Sequence, residues 1–170
     1  MKTALRHSIL IAAVALATPS CATLGGLAGL VQAPRFSSAD DRRAELRLTR
    51  GYGSTPAGAT LRVFARVRNP NPFALTLSTV KGSLFLEGDE AADVDLPLGL
   101  ELRSRDETVI PIDVTVPLEG IPALARTLAR AVSGAPVGYR LDGTMGIDAG
   151  DFGQPTFGPL TLLEGEVTVR

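Results

Sequence analysis

The sequence predicts an all-β fold, a β-sandwich of about seven short strands with one amphipathic helix. Three observations predict it. Apolar residues alternate with polar ones in short runs, the period of a strand with one buried face. Glycine (18) and proline (12) punctuate the 170 residues, which favours turns over long helices. One segment alone, 120–133, shifts to helical spacing. At 45% hydrophobic and 21% charged, the chain has the composition of a globular protein rather than a disordered one. Its length suffices for one domain with a real core.

The first predicted strand, 44–49, places Leu46 and Leu48 on one face and Glu45 and Arg47 on the other. Residues 51–58 are turn-rich. In 60–68, Leu61, Val63, Ala65 and Val67 face inward while Arg62, Arg66 and Arg68 face outward. An arginine row of this kind suits an anion. Alternation alone also explains it, as a solvated face with Phe64 among the arginine stems.

Asn69-Pro70-Asn71-Pro72-Phe73 follows. Each proline fixes its φ near −65° and removes a donor, and each holds the preceding asparagine extended. A central strand does not tolerate two missing donors so close together. The stretch is therefore a rigid corner, with the two amides placed to satisfy nearby backbone groups.

Beyond the corner, Leu75, Leu77, Leu84 and Leu86 continue the alternation, and Glu87-Gly88-Asp89-Glu90 forms a turn. Val94, Leu96 and Leu98 share a face. Ile110, Ile112, Val114 and Val116 mark the strongest strand, and Pro111 on its outward phase makes it an edge strand or a bulge. The helix over 120–133 carries the stripe Ile121, Leu124, Ala125, Leu128 and Val132, suited to capping the open end of the sheets. Pro122 opens it, and Gly134 and Pro136 stop it. Val137, Tyr139, Leu141, Met145 and Ile147 form the next strand, 146–153 an acidic turn, and 157–169 a last strand or pair broken at Glu164-Gly165.

The N-terminus reads as an export signal. Lys2, Arg6 and His7 precede a short apolar run, followed by Thr18-Pro19-Ser20-Cys21. Cys21 is the one cysteine, so no internal disulfide framework can form. Its position resembles the lipid-modified cysteine of bacterial lipoproteins; the alternative is ordinary cleavage nearby, with Cys21 lost or left as a free thiol. The expected organisation is a signal peptide over 1–20, a lipidated Cys21 with a flexible tether over 21–43, and a β domain over 44–170. For the tether, an extra first strand or a short helix packed on the domain is the other reading. Formal net charge is −1. Cleavage before Cys21 leaves fifteen cations and eighteen carboxylates, a charge of −3, and no histidine.

Little reaction chemistry is available to such a chain. Without histidine no Ser/His/Asp or Cys/His arrangement can be built, and a zinc site would have only carboxylates. The sequence holds no glycine-rich phosphate loop of the right form. Two acidic groups, Glu87, Asp89, Glu90, Asp93 and Asp95, and Asp148 with Asp151, lack calcium-loop spacing and suit ordinary turns. Aromatics at 5% supply a sugar-stacking cleft poorly. The charge gives no basic footprint for nucleic acid. The sequence thus points to no catalytic residues, no metal and no cofactor.

The run Val63-Phe64-Ala65-Arg66-Val67-Arg68-Asn69-Pro70-Asn71-Pro72-Phe73, with Leu84-Phe85-Leu86-Glu87-Gly88 after it, resembles the group 2 late embryogenesis abundant (LEA type 2) family. It also resembles that family's water stress and hypersensitive response (WHy) domain. The resemblance covers about 44–169. It implies a fibronectin-III/immunoglobulin-like sandwich of two antiparallel sheets with one helix, and a role in desiccation or general stress protection. It marks Asn69, Pro70, Asn71 and Pro72 as family positions, structural in role. Bacterial members are often exported, some as lipoproteins. The expected protein is therefore non-enzymatic and anchored in the bacterial envelope through Cys21, at the outer membrane facing the periplasm. Its expected partner is the membrane, through the lipid. The alternative is an envelope binding module, an adaptor or a carrier of an apolar ligand held between the sheets.

Overall fold

The computed structural model describes residues 30–39, 41–50, 56–117 and 122–169. The predicted signal peptide and Cys21 lie outside these residues. Among the described residues the fold is all-β with one short α-helix. In chain order the elements are β1 (Arg35–Ser38), β2 (Glu45–Arg50), β3 (Pro56–Arg68), β4 (Leu75–Leu86), β5 (Asp89–Leu102), β6 (Glu107–Pro117), α1 (Pro122–Val132), β7 (Val137–Asp148) and β8 (Thr156–Val169).

Backbone pairing links all eight strands into one mixed sheet. The 13-residue β3 is its organiser on one side. One edge of β3 takes β2 along its first half and β1 along its second, and the other edge takes β6. On the other side the order is β8-β7-β4-β5, every pair antiparallel. The two groups meet where Glu45 and Leu46 of β2 pair in parallel with Thr168 and Val169 of β8. That parallel pairing departs from the purely antiparallel arrangement the sequence suggests.

Alternation puts the core where the sequence places it. Leu46, Leu61, Val63, Ala65, Val67, Ile112, Val114 and Val116 are buried from one group, and Leu77, Val80, Leu84, Leu86, Leu141, Met145 and Ile147 from the other. Pro111 points outward on β6, which pairs only with β3 and is an edge strand. There its missing donor costs no ladder bond. Glu87 (φ 52°) and Gly88 (φ 88°) form a two-residue hairpin turn with both φ positive, the geometry whose twist matches the flanking strands.

Four features differ from the sequence reading. First, the tether assignment fails over 30–39, where the alternative first strand is found: Val31 and Ala39 are buried and β1 pairs with β3. A strand of four residues is too short to announce itself by period. Second, β3 begins at Pro56, inside the predicted turn. Its small residues Ala57, Gly58 and Ala59 carry no alternation, but β6 extends the ladder to Gly58. Third, β8 is continuous through Gly165, because the Tyr139 ring of the paired strand lies across that glycine. An aromatic neighbour supplies the packing that the glycine lacks.

The fourth difference is the helix stripe. Leu124, Thr127 and Ala131 are buried, whereas Ala125 and Val132 are exposed. The buried face is thus rotated from the apolar one, and it packs near β5 and β8. Ile121 and the Leu128 side chain lie outside the described residues. The stop is as expected: Gly134 N–H donates to the Ala131 carbonyl at 2.9 Å and Ala135 N–H to Arg130 at 3.3 Å, the paired bonds of a Schellman end.

Candidate functional site

The most highly organised polar cluster is the corner after β3. Asn69 and Asn71 are fully buried, and burying an amide is tolerable only when its hydrogen bonds are replaced. Here they are. Asn69 Nδ2 donates to the carbonyls of Phe73 at 2.8 Å, Arg103 at 3.0 Å and Leu102 at 3.2 Å. Its Oδ1 accepts from the Asn71 backbone N–H at 2.9 Å and from Asn71 Nδ2 at 3.0 Å.

Asn71 reaches the other way. Its Oδ1 accepts from the Gln32 N–H and its Nδ2 donates to the Gln32 carbonyl, both at 2.8 Å. The amide thus binds one backbone residue as a neighbouring strand would. Backbone bonds complete the cluster: Asn69 N–H to the Asp106 carbonyl at 2.9 Å, and Arg105 N–H to the Asn71 carbonyl at 3.0 Å. Beside it Phe73 stacks on Phe152, the ring centroids 4.4 Å apart.

Pro70 fixes the backbone between the two amides, and Pro72 holds Asn71 extended from the other side. The Asn-Pro-Asn-Pro motif therefore joins three places far apart in sequence: the start of the domain at Gln32, the turn between β5 and β6, and the turn after β7. The local role of the amides was legible in the sequence. Gln32, Arg103 and Phe152 were not, since no periodicity connects residues so distant.

Elsewhere the acidic groups serve turns and ladders. Glu87 Oε1 accepts from the Gly138 N–H at 2.6 Å. Asp148 accepts from the Gly150 N–H and from Gln154 Nε2, and Asp95 pairs with Lys81. Among the described residues no three carboxylate, histidine or cysteine side chains gather as metal ligands would. On β3 and β6, Arg62 and Asp113 stand directly opposite and form a two-pronged ion pair at 2.6 and 2.7 Å. Hydrogen bonding to Arg62 holds the Asp113 carboxyl below its ordinary pKa, and the same bond raises that of Arg62. These are the paired charges of a sheet surface.

The surface carries open grooves. One, of about 660 Å³, runs past Phe85, Glu87, Tyr139, Arg140 and Glu164. Others lie against α1, beside the β1–β2 connection and along Ala91 to Asp93. Their linings do not include Leu61, Val63, Ile112, Val114 or Leu124, the inward residues that a ligand held between strands would touch. Among the described residues no helix is long and apolar enough to cross a membrane.

The family model described as Late embryogenesis abundant protein (LEA type 2) matches residues 64–160, from the middle of β3 into β8, with the corner near its start. The chain belongs to that family. Among solved structures, the solution structure of an Arabidopsis thaliana protein matches at 20% identity over 81% of this chain and 78% of its own, with a TM-score of 0.52. A second solution structure, of a protein described as late embryogenesis abundant, matches at 19% identity over 85% of this chain and 74% of its own, also with a TM-score of 0.52. A crystal structure of an Archaeoglobus fulgidus protein matches at 16% identity over 76% and 97% respectively, with a TM-score of 0.42. No curated protein matches the sequence.

Proposed function

We propose that this chain is a non-enzymatic stress-protection protein of the bacterial envelope. In this reading it is a WHy-type LEA domain held at the outer membrane by a lipid on Cys21, and it faces the periplasm. The family match over 64–160 is the observation that carries the protective role. Anchoring is supported by the sequence alone, through the basic start, the short apolar run and the small residue Ser20 before Cys21. A non-enzymatic role is supported by the missing histidine of the mature chain and by a buried polar cluster whose bonds all close internally.

The same reading takes the two strand groups as the facing layers of a fibronectin-like sandwich. The alternating burial along β3, β4, β6 and β7 supports it, as does the approach of β5 to β6 without ladder pairing. The carrier alternative gains no support, because its inward residues are packed away from the grooves.

Two experiments test the proposal. Deleting the gene lowers survival after drying and leaves growth in rich medium unchanged; equal survival would overturn the protective role. The intact mass of the protein extracted from membranes shows a diacylglyceryl-modified N-terminal Cys21. A soluble chain starting after Ala22 would overturn the anchoring while leaving the protective role standing.

A further inference from the structure

Charge is divided between the two strand groups. In the described residues, β1, β2, β3 and β6, with the turns between β1 and β2 and before β6, carry ten arginines against five carboxylates. The strands β4, β5, β7 and β8, with their connections, carry two cations against eleven carboxylates. A molecule close to neutral overall is therefore strongly polar from one group to the other.

The positive half presents a face. Register sets Arg35 opposite Arg68 and Ser37 opposite Arg66 on the outward side, with Arg62 further along β3. Arg42 lies over the Phe64 ring, 5.3 Å from its centroid. Some of these charges are matched: Arg62 by Asp113, and Arg66 by Glu107 and Asp41. Arg35 and Arg68 are exposed, have no ion pair among the described residues, and face each other. Like charges directly opposite are destabilising, and Glu107, the residue across from Arg68, gives its carboxylate to Arg66. An anion from outside would relieve that repulsion. Arginine suits phosphate through its planar fork of donors.

The route of the chain selects the anion. Gln32 is bonded to Asn71 and leads directly into β1, so the N-terminal segment joins the domain on its positive half. Nine residues separate Cys21 from Val31, a reach of at most about 35 Å. A lipid on Cys21 would thus hold this face close to headgroups.

We propose that the outward arginine face of β1 and β3 docks on an anionic phospholipid surface. The choice of a phospholipid surface rests on the anchoring reading above; the arginine face does not, because it is read from register and charge. Each arginine near such a surface adds roughly a fivefold gain in affinity, and the attraction fades with salt.

The test uses the full chain carrying Cys21→Ser, so that no acyl chain contributes. Vesicles of phosphatidylcholine are compared with vesicles containing phosphatidylglycerol, by co-sedimentation in low and high salt. The expected result is phosphatidylglycerol-dependent binding that high salt removes. Arg35→Glu and Arg68→Glu together weaken it at least about twentyfold, while lysine at the same two positions retains most of it. The α1 reversal Arg126→Glu with Arg130→Glu leaves it unchanged, and circular dichroism reports folding of each variant. Equal binding to both vesicles, no binding, or indifference to the double reversal would overturn the proposal. So would low-salt self-association without vesicle binding, which would assign the charge division to a second copy of the chain. The mass of Cys21 in membranes reads the anchoring separately.

Discussion

Asn69 replaces a whole turn of missing backbone bonds with one side chain. Removing its amide takes a donor from three carbonyls and an acceptor from two Asn71 donors at a part-buried corner. Asn69→Ala should therefore cost about 3 kcal/mol in urea denaturation, near the upper end for unpaired buried groups. Asn71→Ala should cost about 2 kcal/mol. Because the two side chains bond each other, the double variant should lose less than the sum of both; strict additivity would contradict the network. Asn69→Asp should be no milder than alanine at neutral pH, since it sets a carboxylate against three carbonyl oxygens. Asp113 gives a second prediction at this scale. Its folded pKa is lowered, so its stabilising effect is present above the ordinary carboxylate range and lost as pH falls through the folded value. The stability gap between the native chain and Asp113→Asn should be small at neutral pH, shrink with salt, and close in acid. A gap that widened in acid would reverse the sign.

At the scale of elements, β4 and β7 approach more closely than strands with side chains allow. Gly82 and Gly143 are register partners. A Cβ on Gly82 would lie 2.0 Å from the Asp142 carbonyl oxygen, and one on Gly143 2.3 Å from that of Lys81. Gly82→Ala should accordingly lower stability by about 3 kcal/mol, at the high end for overpacking, read by thermal unfolding. Gly88→Ala meets no atom within 4 Å and should be milder, its cost coming from backbone conformation alone. Most elements were legible because period 2 depends only on neighbours in sequence. The buried face of α1 was not. Ala125 and Val132 are apolar but exposed, and Thr127 is buried instead, on a helix that lies near β5 and β8, strands remote from it in sequence. β1 was hidden for the same reason, since its four residues are ordered by β3 rather than by their own pattern. Of the corner, the motif and its rigidity were visible, but not the partners 39 and 34 residues away.

For the whole molecule, the family match begins at 64, yet β1, β2 and the first half of β3 precede it and complete the sheet. A chain starting at Ala44 should lose the Gln32 bonds and the β1 ladder. It should unfold at a lower temperature than one starting at Leu30, and equal melting temperatures would show that 30–39 contributes nothing. The division of charge belongs to this scale too. It is invisible in a net charge of −1 and emerges only when the topology sorts the strands.

The double bond between Asn71 and Gln32 also has a mechanical side. Tension along the chain entering β1 passes Gln32, where two parallel 2.8 Å bonds to a proline-braced side chain share the load. Behind them β1 lies antiparallel along β3, held by four registered residues. The corner thus acts as a cleat between the incoming chain and the first strand.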